Sequence, residues 1–255
     1  MNKTLEKIRN GEPTFGTWIQ IGHPAIAEML AHFGFDWICV DMEHGVIGIE
    51  TMASLFRVIE SGGSVPFVRL PSQDPSWVRR AIDAGAKGII APMINTDKEA
   101  YSVVSNAKYP DKGNRGFGFS RSNLYGIEFE SYIEKANDDI MVVMQIEHKR
   151  AIANLEHILN VDGVDSTFIG PFDLSGSMGI TGNLEHPSYV EALARYRDVS
   201  ASHDVPTGCH IVYPNKQNIS EAVEQGYKLI ALGLDVTFFA QGVKDCISSL
   251  KESLK

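Results

Sequence analysis

From Phe15 onward, short apolar, β-prone runs alternate with amphipathic segments of helical spacing, and no linker interrupts the alternation. Strands are expected at Phe15–Ile19, Trp37–Val40, Phe67–Leu70, Gly88–Ala91, Ile140–Ile146, Asp165–Ile169, Val205–Gly208 and Lys228–Leu232. Helices are expected at about Pro24–His32, Ile49–Glu60, Pro75–Asp83, Thr96–Asn106, Ala151–Leu159, Pro187–His203, Lys216–Gln225 and Val236–Leu250. Pro24 and Pro75 suit first helical turns, and Gly85 suits a helix stop. Tyr109–Tyr125, with its glycines, breaks the cadence and reads as an inserted loop. About eight βα units in a chain of 255 residues match a (β/α)8 barrel, a TIM barrel, formed as a single domain over 1–255. A doubly wound open sheet is the rival, but no glycine-rich dinucleotide turn follows the first strand.

A hydrophobic content of 44% can build one large core. The net charge of −9, with basic residues scattered, argues against a nucleic-acid surface and points to small-molecule partners. Cys39, Cys209 and Cys246 follow no disulfide or thiolate-cluster spacing, which suits a reducing cytoplasm. Neither a signal core within Met1–Gly11 nor an apolar run of membrane-spanning length is present, so a soluble cytoplasmic protein without membrane contact is expected.

Two of the expected strands end by delivering a carboxylate, Glu147 after Met144-Gln145-Ile146 and Asp173 in Gly170-Pro171-Phe172-Asp173. Ends of neighbouring parallel strands lie side by side, so this pair can converge on one ion. Carboxylate oxygens suit hard or borderline divalent cations such as Mg or Mn. Taken singly, Glu147 reads equally as a helix-start residue and Asp173 as an N-cap.

Other polar residues stand at expected strand ends, where a barrel does its chemistry. Asp41-Met42-Glu43-His44-Gly45 follows the second strand. His44 is the general-base candidate because an imidazole ordinarily titrates near neutrality, and Asp41 could orient it or a metal-bound water; the competing role for His44 is a loop hydrogen bond. Arg69 at the barrel mouth needs an anion, either a substrate carboxylate or Asp41 or Glu43. Gln145 shares the strand face of Glu147 and serves either as a substrate donor or as a structural amide. The turn Gly170-Pro171-Phe172-Asp173-Leu174-Ser175 offers free backbone N–H groups to an anionic group. Arg115 and Arg121 either reach a second substrate or stabilise the insertion, and His210, after the seventh strand, could face the cavity.

The chain resembles the HpcH/HpaI class II aldolases, metal-dependent pyruvate aldolases, over nearly its whole length. The resemblance is carried by Gly34-Phe35-Asp36-Trp37, Asp41-Met42-Glu43-His44-Gly45, Val68-Arg69, Asp83-Ala84-Gly85-Ala86-Lys87-Gly88, Tyr109-Pro110 with Arg115-Gly116, Gln145-Ile146-Glu147 and Gly170-Pro171-Phe172-Asp173-Leu174-Ser175. It implies that Glu147 and Asp173 bind a divalent metal (Mg, Mn or Co), that His44 is the base with Asp41 beside it, that Arg69 stabilises an enolate, and that Gln145 contacts the pyruvyl group; the turn with Gly170, Pro171, Phe172 and Ser175 is expected beside it as the substrate's anion site. It also implies a homo-oligomer, a hexamer or trimer, whose last helix packs on a neighbouring subunit. The implied reaction makes or cleaves the C3–C4 bond of a 4-hydroxy-2-oxo acid, from pyruvate or another 2-oxo acid and a hydroxyaldehyde. Phe119–Gly126 and Gly208–Tyr213 depart from the degradative members, which leaves the aldehyde and the direction open. An acyl-CoA ester lyase with the same chemistry and a non-catalytic carboxylate-binding barrel are the rival readings. A lysine placed at a strand end for imine chemistry is not apparent.

Overall fold

Alternation along the strands sets the architecture. The computed structural model describes residues 2–254, and in it eight parallel strands pair in chain order, β1 closing on β8. They are β1 Thr14–Ile19, β2 Trp37–Asp41, β3 Val65–Arg69, β4 Gly88–Ala91, β5 Met141–Ile146, β6 Ser166–Ile169, β7 Thr207–Ile211 and β8 Leu229–Leu234. Helices connect successive strands and wrap the barrel, as the repeated βα pattern requires.

One parity of each strand points inward. Trp18, Trp37, Cys39, Phe67, Ile90, Met141, Val143, Phe168, Leu229 and Ala231 form the barrel interior. The other parity, including Ile19, Ile38, Val40, Val68, Ile89, Val142, Met144 and Ile169, packs beneath the helices. Aromatic rings fill the interior where a neighbouring strand carries glycine. A Cβ on Gly16 would strike Trp37, one on Gly88 would strike Phe67, and one on Gly208 would strike Phe168. The first helix, Lys3–Arg9, adds Leu5 and Ile8 to this cluster, with the Asn2 side chain accepting from the Leu5 N–H as an N-cap.

Several boundaries differ from the sequence expectation. Pro66 lies inside β3, registered against Ile38, because its carbonyl serves the ladder by accepting from Lys87 N–H at 2.8 Å. The expected strand Val205–Gly208 is displaced to Thr207–Ile211, which puts His210 within β7 rather than after it. The expected helix Ala151–Leu159 divides at Asn154 into Lys149–Ala153 and Leu155–Leu159. The insertion after Tyr109 contains the short 3-10 segment Arg121–Gly126 and the helix Phe129–Asp139. Among the described residues, no helix is long and apolar enough to cross a membrane.

Candidate active site

The inward parity that builds the interior continues to the C-terminal ends of the strands, where the side chains become polar. Asp41 and Arg69 are register partners at the ends of β2 and β3. Arg69 donates to both carboxylate oxygens of Asp41, Nε to Oδ1 at 2.9 Å and Nη2 to Oδ2 at 2.6 Å, a bidentate pair. Asp41 also accepts from Gln20 Nε2 at 2.8 Å and from the backbone N–H groups of Glu43 and His44. Burial would raise the Asp41 pKa, but the hydrogen bonds and charge of Arg69, aided by Gln20, outweigh it and hold the group below its ordinary range. The Arg69 guanidinium lies over the Trp18 ring, 4.7 Å from its centroid.

This differs from the simplest form of the sequence expectation. Asp41 does not meet the His44 imidazole; its oxygens are committed to Arg69, Gln20 and the loop backbone. The acid beside the imidazole is Glu43, 3.9 Å from His44 Nε2 and 3.4 Å from Arg69 Nε. Burial raises the Glu43 pKa, offset in part by the charge of Arg69. The His44 side chain is 60% exposed, so solvent reaches it.

Gln145 near the end of β5 and Glu147 just beyond it are both buried and lie side by side. Gln145 Nε2 donates to Glu147 Oε2, and the backbone N–H of Met93, just beyond β4, donates to Oε1 at 2.6 Å. Met93 adopts a left-handed φ of 55°, and its carbonyl accepts from Gln73 Nε2 at 3.1 Å and Asn95 Nδ2 at 2.8 Å. Burial pushes the Glu147 pKa up and the charge of Asp173 adds to it, against the two donors. Gly170, at the end of β6, makes room for this carboxylate: an added Cβ would lie 2.7 Å from Glu147 Cβ and 2.8 Å from Oε2. Asp173 follows in the short helix Pro171–Ser177, exposed towards the cleft.

One cleft of about 360 Å³ is lined among others by Gln20, Asp41, His44, Arg69, Gln145 and Asp173, with the buried Glu147 behind Gln145. Gly170, Pro171 and Phe172 line it as well. Ser175 stands apart. It is fully buried, its hydroxyl donating to Phe172 O and accepting from Gly182 N–H, so it supports the loop rather than facing the cleft. Arg115 and Arg121 are also elsewhere. Arg115 is 1% exposed, lies over Tyr109 and binds Asp83 at 2.7 Å, and Arg121 pairs with Glu60 at 2.6 Å. Both stabilise the insertion against the outer helices.

The donor set fits a hard cation. Glu147, Asp173 and Gln145 Oε1, a buried oxygen without a hydrogen-bond partner, are all oxygen donors. No group of three or more His, Cys, Asp or Glu among the described residues could hold a metal, so a cation here would rest on two carboxylates and keep positions open for other oxygens. Gln20 and Asp235 escaped the sequence reading. Asp235 accepts from the N–H groups of Gln20 and Ile21, and so fixes the loop that aims Gln20 at Asp41. Trp18 was legible in principle, since it shares its parity with the other inward positions of β1.

The family model for HpcH/HpaI aldolase/citrate lyase matches residues 14–242. A 4-hydroxy-2-oxo-heptane-1,7-dioate aldolase from Salmonella dublin is 34% identical over 246 residues, covering 95% of this chain and 92% of that protein. The crystal structure of an HpcH/HpaI aldolase/citrate lyase family protein from Burkholderia cenocepacia superposes with a TM-score of 0.93 at 32% identity, covering 98% of this chain and 100% of that one. That of an HpcH/HpaI aldolase from Desulfitobacterium hafniense gives 0.90 at 29% identity, over 97% and 96%.

Proposed function

The chain belongs to the HpcH/HpaI aldolase/citrate lyase family, and from that membership and the chemistry of the cleft we infer that it is a class II aldolase. The reaction makes or cleaves the C3–C4 bond of a 4-hydroxy-2-oxo acid, joining or releasing pyruvate or another 2-oxo acid and an aldehyde. The observation that carries this reading is the meeting, in one cleft, of an Arg69–Asp41 pair with the oxygen donors Asp173 and Gln145, the latter hydrogen-bonded to the buried Glu147 behind it. An aldol reaction needs charge stabilisation at a 2-oxo oxygen and a proton carrier at the C4 hydroxyl.

Glu147 and Asp173 are the proposed ligands of a divalent cation, Mg, Mn or Co, which when bound would supply Lewis-acid polarisation of the 2-oxo group. Met93 N–H and Gln145 Nε2 orient the Glu147 carboxylate. In cleavage, His44 removes the C4 hydroxyl proton through a water, a role suited to its exposure. The electron pair of the C3–C4 bond then moves towards the 2-oxo oxygen, the aldehyde departs, and the enolate takes a proton at C3 from water to leave as the 2-oxo acid. Arg69 offsets the charge growing there. Its Nε and Nη2 are held by Asp41, which leaves Nη1 for substrate. Asp41 thus acts as a positioning residue. Gln145, Gly170, Pro171 and Phe172 bound the substrate on the opposite side.

The assembly expected is a homo-oligomer, hexamer or trimer, with the last helix packed on a neighbouring subunit. Supporting it, the helix Asp235–Ser253 buries only Asp235 and leaves Phe238, Phe239, Val243, Ile247 and Leu250 exposed. Phe238 and Phe239 also line an apolar groove with Ile26, Met29 and Phe33. Light scattering on the purified protein tests this, and a monomer would refute it.

The activity is tested by following exchange of pyruvate methyl protons in D2O, with and without EDTA. Exchange that needs metal is expected, and its absence in the metal-loaded protein would overturn the assignment.

A further inference from the structure

The strand ends carrying the proposed chemistry occupy one part of the barrel mouth: β2 and β3 the arginine and histidine, β5 and β6 the carboxylates. The rest of the cleft wall, from β7 and β8 to β1, is formed by His210, Val212, Leu234 and Trp18, with Gln20 just after β1 and Leu184 and Phe172 beside them. His210 is the one titratable group in this largely apolar arc, and the mechanism above does not use it.

Its hydrogen bonding defines its tautomer. Nε2 lies 3.0 Å from the carbonyl oxygen of Gly233, which can only accept, so Nε2 carries the proton and donates. Burial lowers the ring pKa to about 4, so the imidazole is neutral near pH 7. In a neutral imidazole whose Nε2 is protonated, Nδ1 is an acceptor. Nδ1 makes no hydrogen bond among the described residues and is not one of the enclosed, unpartnered polar atoms, so it opens on the cleft. The Trp18 ring, 5.8 Å away between centroids, holds the imidazole from one side. An acceptor facing an apolar, ligand-filled space is costly unless the ligand brings a donor. A carboxylate or phosphate brings none and would meet a lone pair; a hydroxyl brings one.

We propose that His210 is a specificity-determining residue whose Nδ1 accepts a hydrogen bond from a substrate hydroxyl, so that the cleft selects hydroxylated reactants over their deoxy counterparts. The proposal rests on the aldolase reading and deepens it. The hydroxyl belongs either to C3 of the 2-oxo acid or to the aldehyde, and the two sources separate by experiment. Wild type and His210→Leu are assayed by initial rate of C–C bond formation with pyruvate or 3-hydroxypyruvate, each combined with acetaldehyde or glycolaldehyde.

Wild type is expected to favour the hydroxylated member of one reactant pair, which identifies the source. His210→Leu reduces that preference about 10- to 100-fold, as expected for an enzyme site that loses one hydrogen bond to a substrate hydroxyl. Metal-dependent exchange of pyruvate methyl protons is retained. His210→Asn, which still offers an acceptor oxygen, restores part of the preference, a rescue that a purely structural role would not produce. A wild-type enzyme indifferent to the hydroxyl, or a His210→Leu variant that slows all four combinations equally, overturns the proposal. The wild-type preference and the Asn variant keep the test valid should the Leu variant fail to fold. Absence of exchange in wild type itself would instead remove the aldolase reading, so the two failures are distinguishable.

Discussion

Gly170→Ala probes the carboxylate cradle with one methyl group. Gly170 has φ −105° and ψ 90°, a conformation open to alanine, so its consequence is steric. The new Cβ would stand 2.7 Å from Glu147 Cβ, whereas carbon atoms pack at ~3.5 Å, so the Glu147 side chain must retreat by about 0.8 Å. Its retreat is opposed by the 2.6 Å hydrogen bond from Met93 N–H and by the contact with Gln145. Overpacking of this kind costs about 1–3 kcal/mol. A metal ligand tolerates only ~0.2 Å of displacement. The expected outcome is a native barrel whose affinity for Mn, measured by calorimetric titration, falls about 10- to 100-fold. Urea denaturation in EDTA measures the stability term. Gly116→Ala, where an added Cβ meets nothing within 4 Å, is the control. A Gly170→Ala protein that binds Mn as wild type does, with unchanged stability, would refute the argument that this glycine exists to seat Glu147.

Glu147→Gln removes the charge facing two donors and is expected to abolish metal-dependent turnover while circular dichroism stays native; unchanged turnover rejects the ligand role. His44→Ala should slow aldol turnover with little effect on Mn affinity, and equal loss of both would exclude a base role. Asp41→Ala strips the buried partner of Arg69 and should lower stability by about 3–5 kcal/mol, read from the urea midpoint. His210 has a folded pKa of about 4 against 6.5 when free, so the unfolded chain binds the extra proton first. Its contribution is complete above about pH 6.5 and is lost as pH falls towards 4, a change on the order of 3 kcal/mol. Denaturant midpoints at pH 7 and 4.5 should therefore fall further in wild type than in His210→Leu, and parallel losses would contradict this.

The barrel was legible because its signal is local and repeated: each strand is a short apolar run, and each helix has its own spacing and punctuation. Asp41, Arg69, Gln145 and Glu147 were legible for a related reason, since a charged or amide side chain on the inward parity at a strand end has nowhere to go but the barrel mouth. His210 was only half legible. The sequence reading ends β7 at Gly208, while the strand continues to Ile211 and carries the imidazole as its inward residue.

Partnership was legible only as alternatives. Asp41 reads as a partner of His44 or of Arg69, and the β2–β3 register sets it against Arg69. Glu43 thereby becomes the acid beside the imidazole. Nothing in the sequence announces that a left-handed Met93 lends its N–H to Glu147, or that Asp235 holds the loop of Gln20 from the far end of the chain. Chain order alone determined which kinds of group arrive at the mouth, through strand periodicity and position. Closure of β1 on β8 and the register between neighbours decided which of them touch, because hydrogen bonds and charge act over a few ångströms and only the folded barrel brings such distant residues that close.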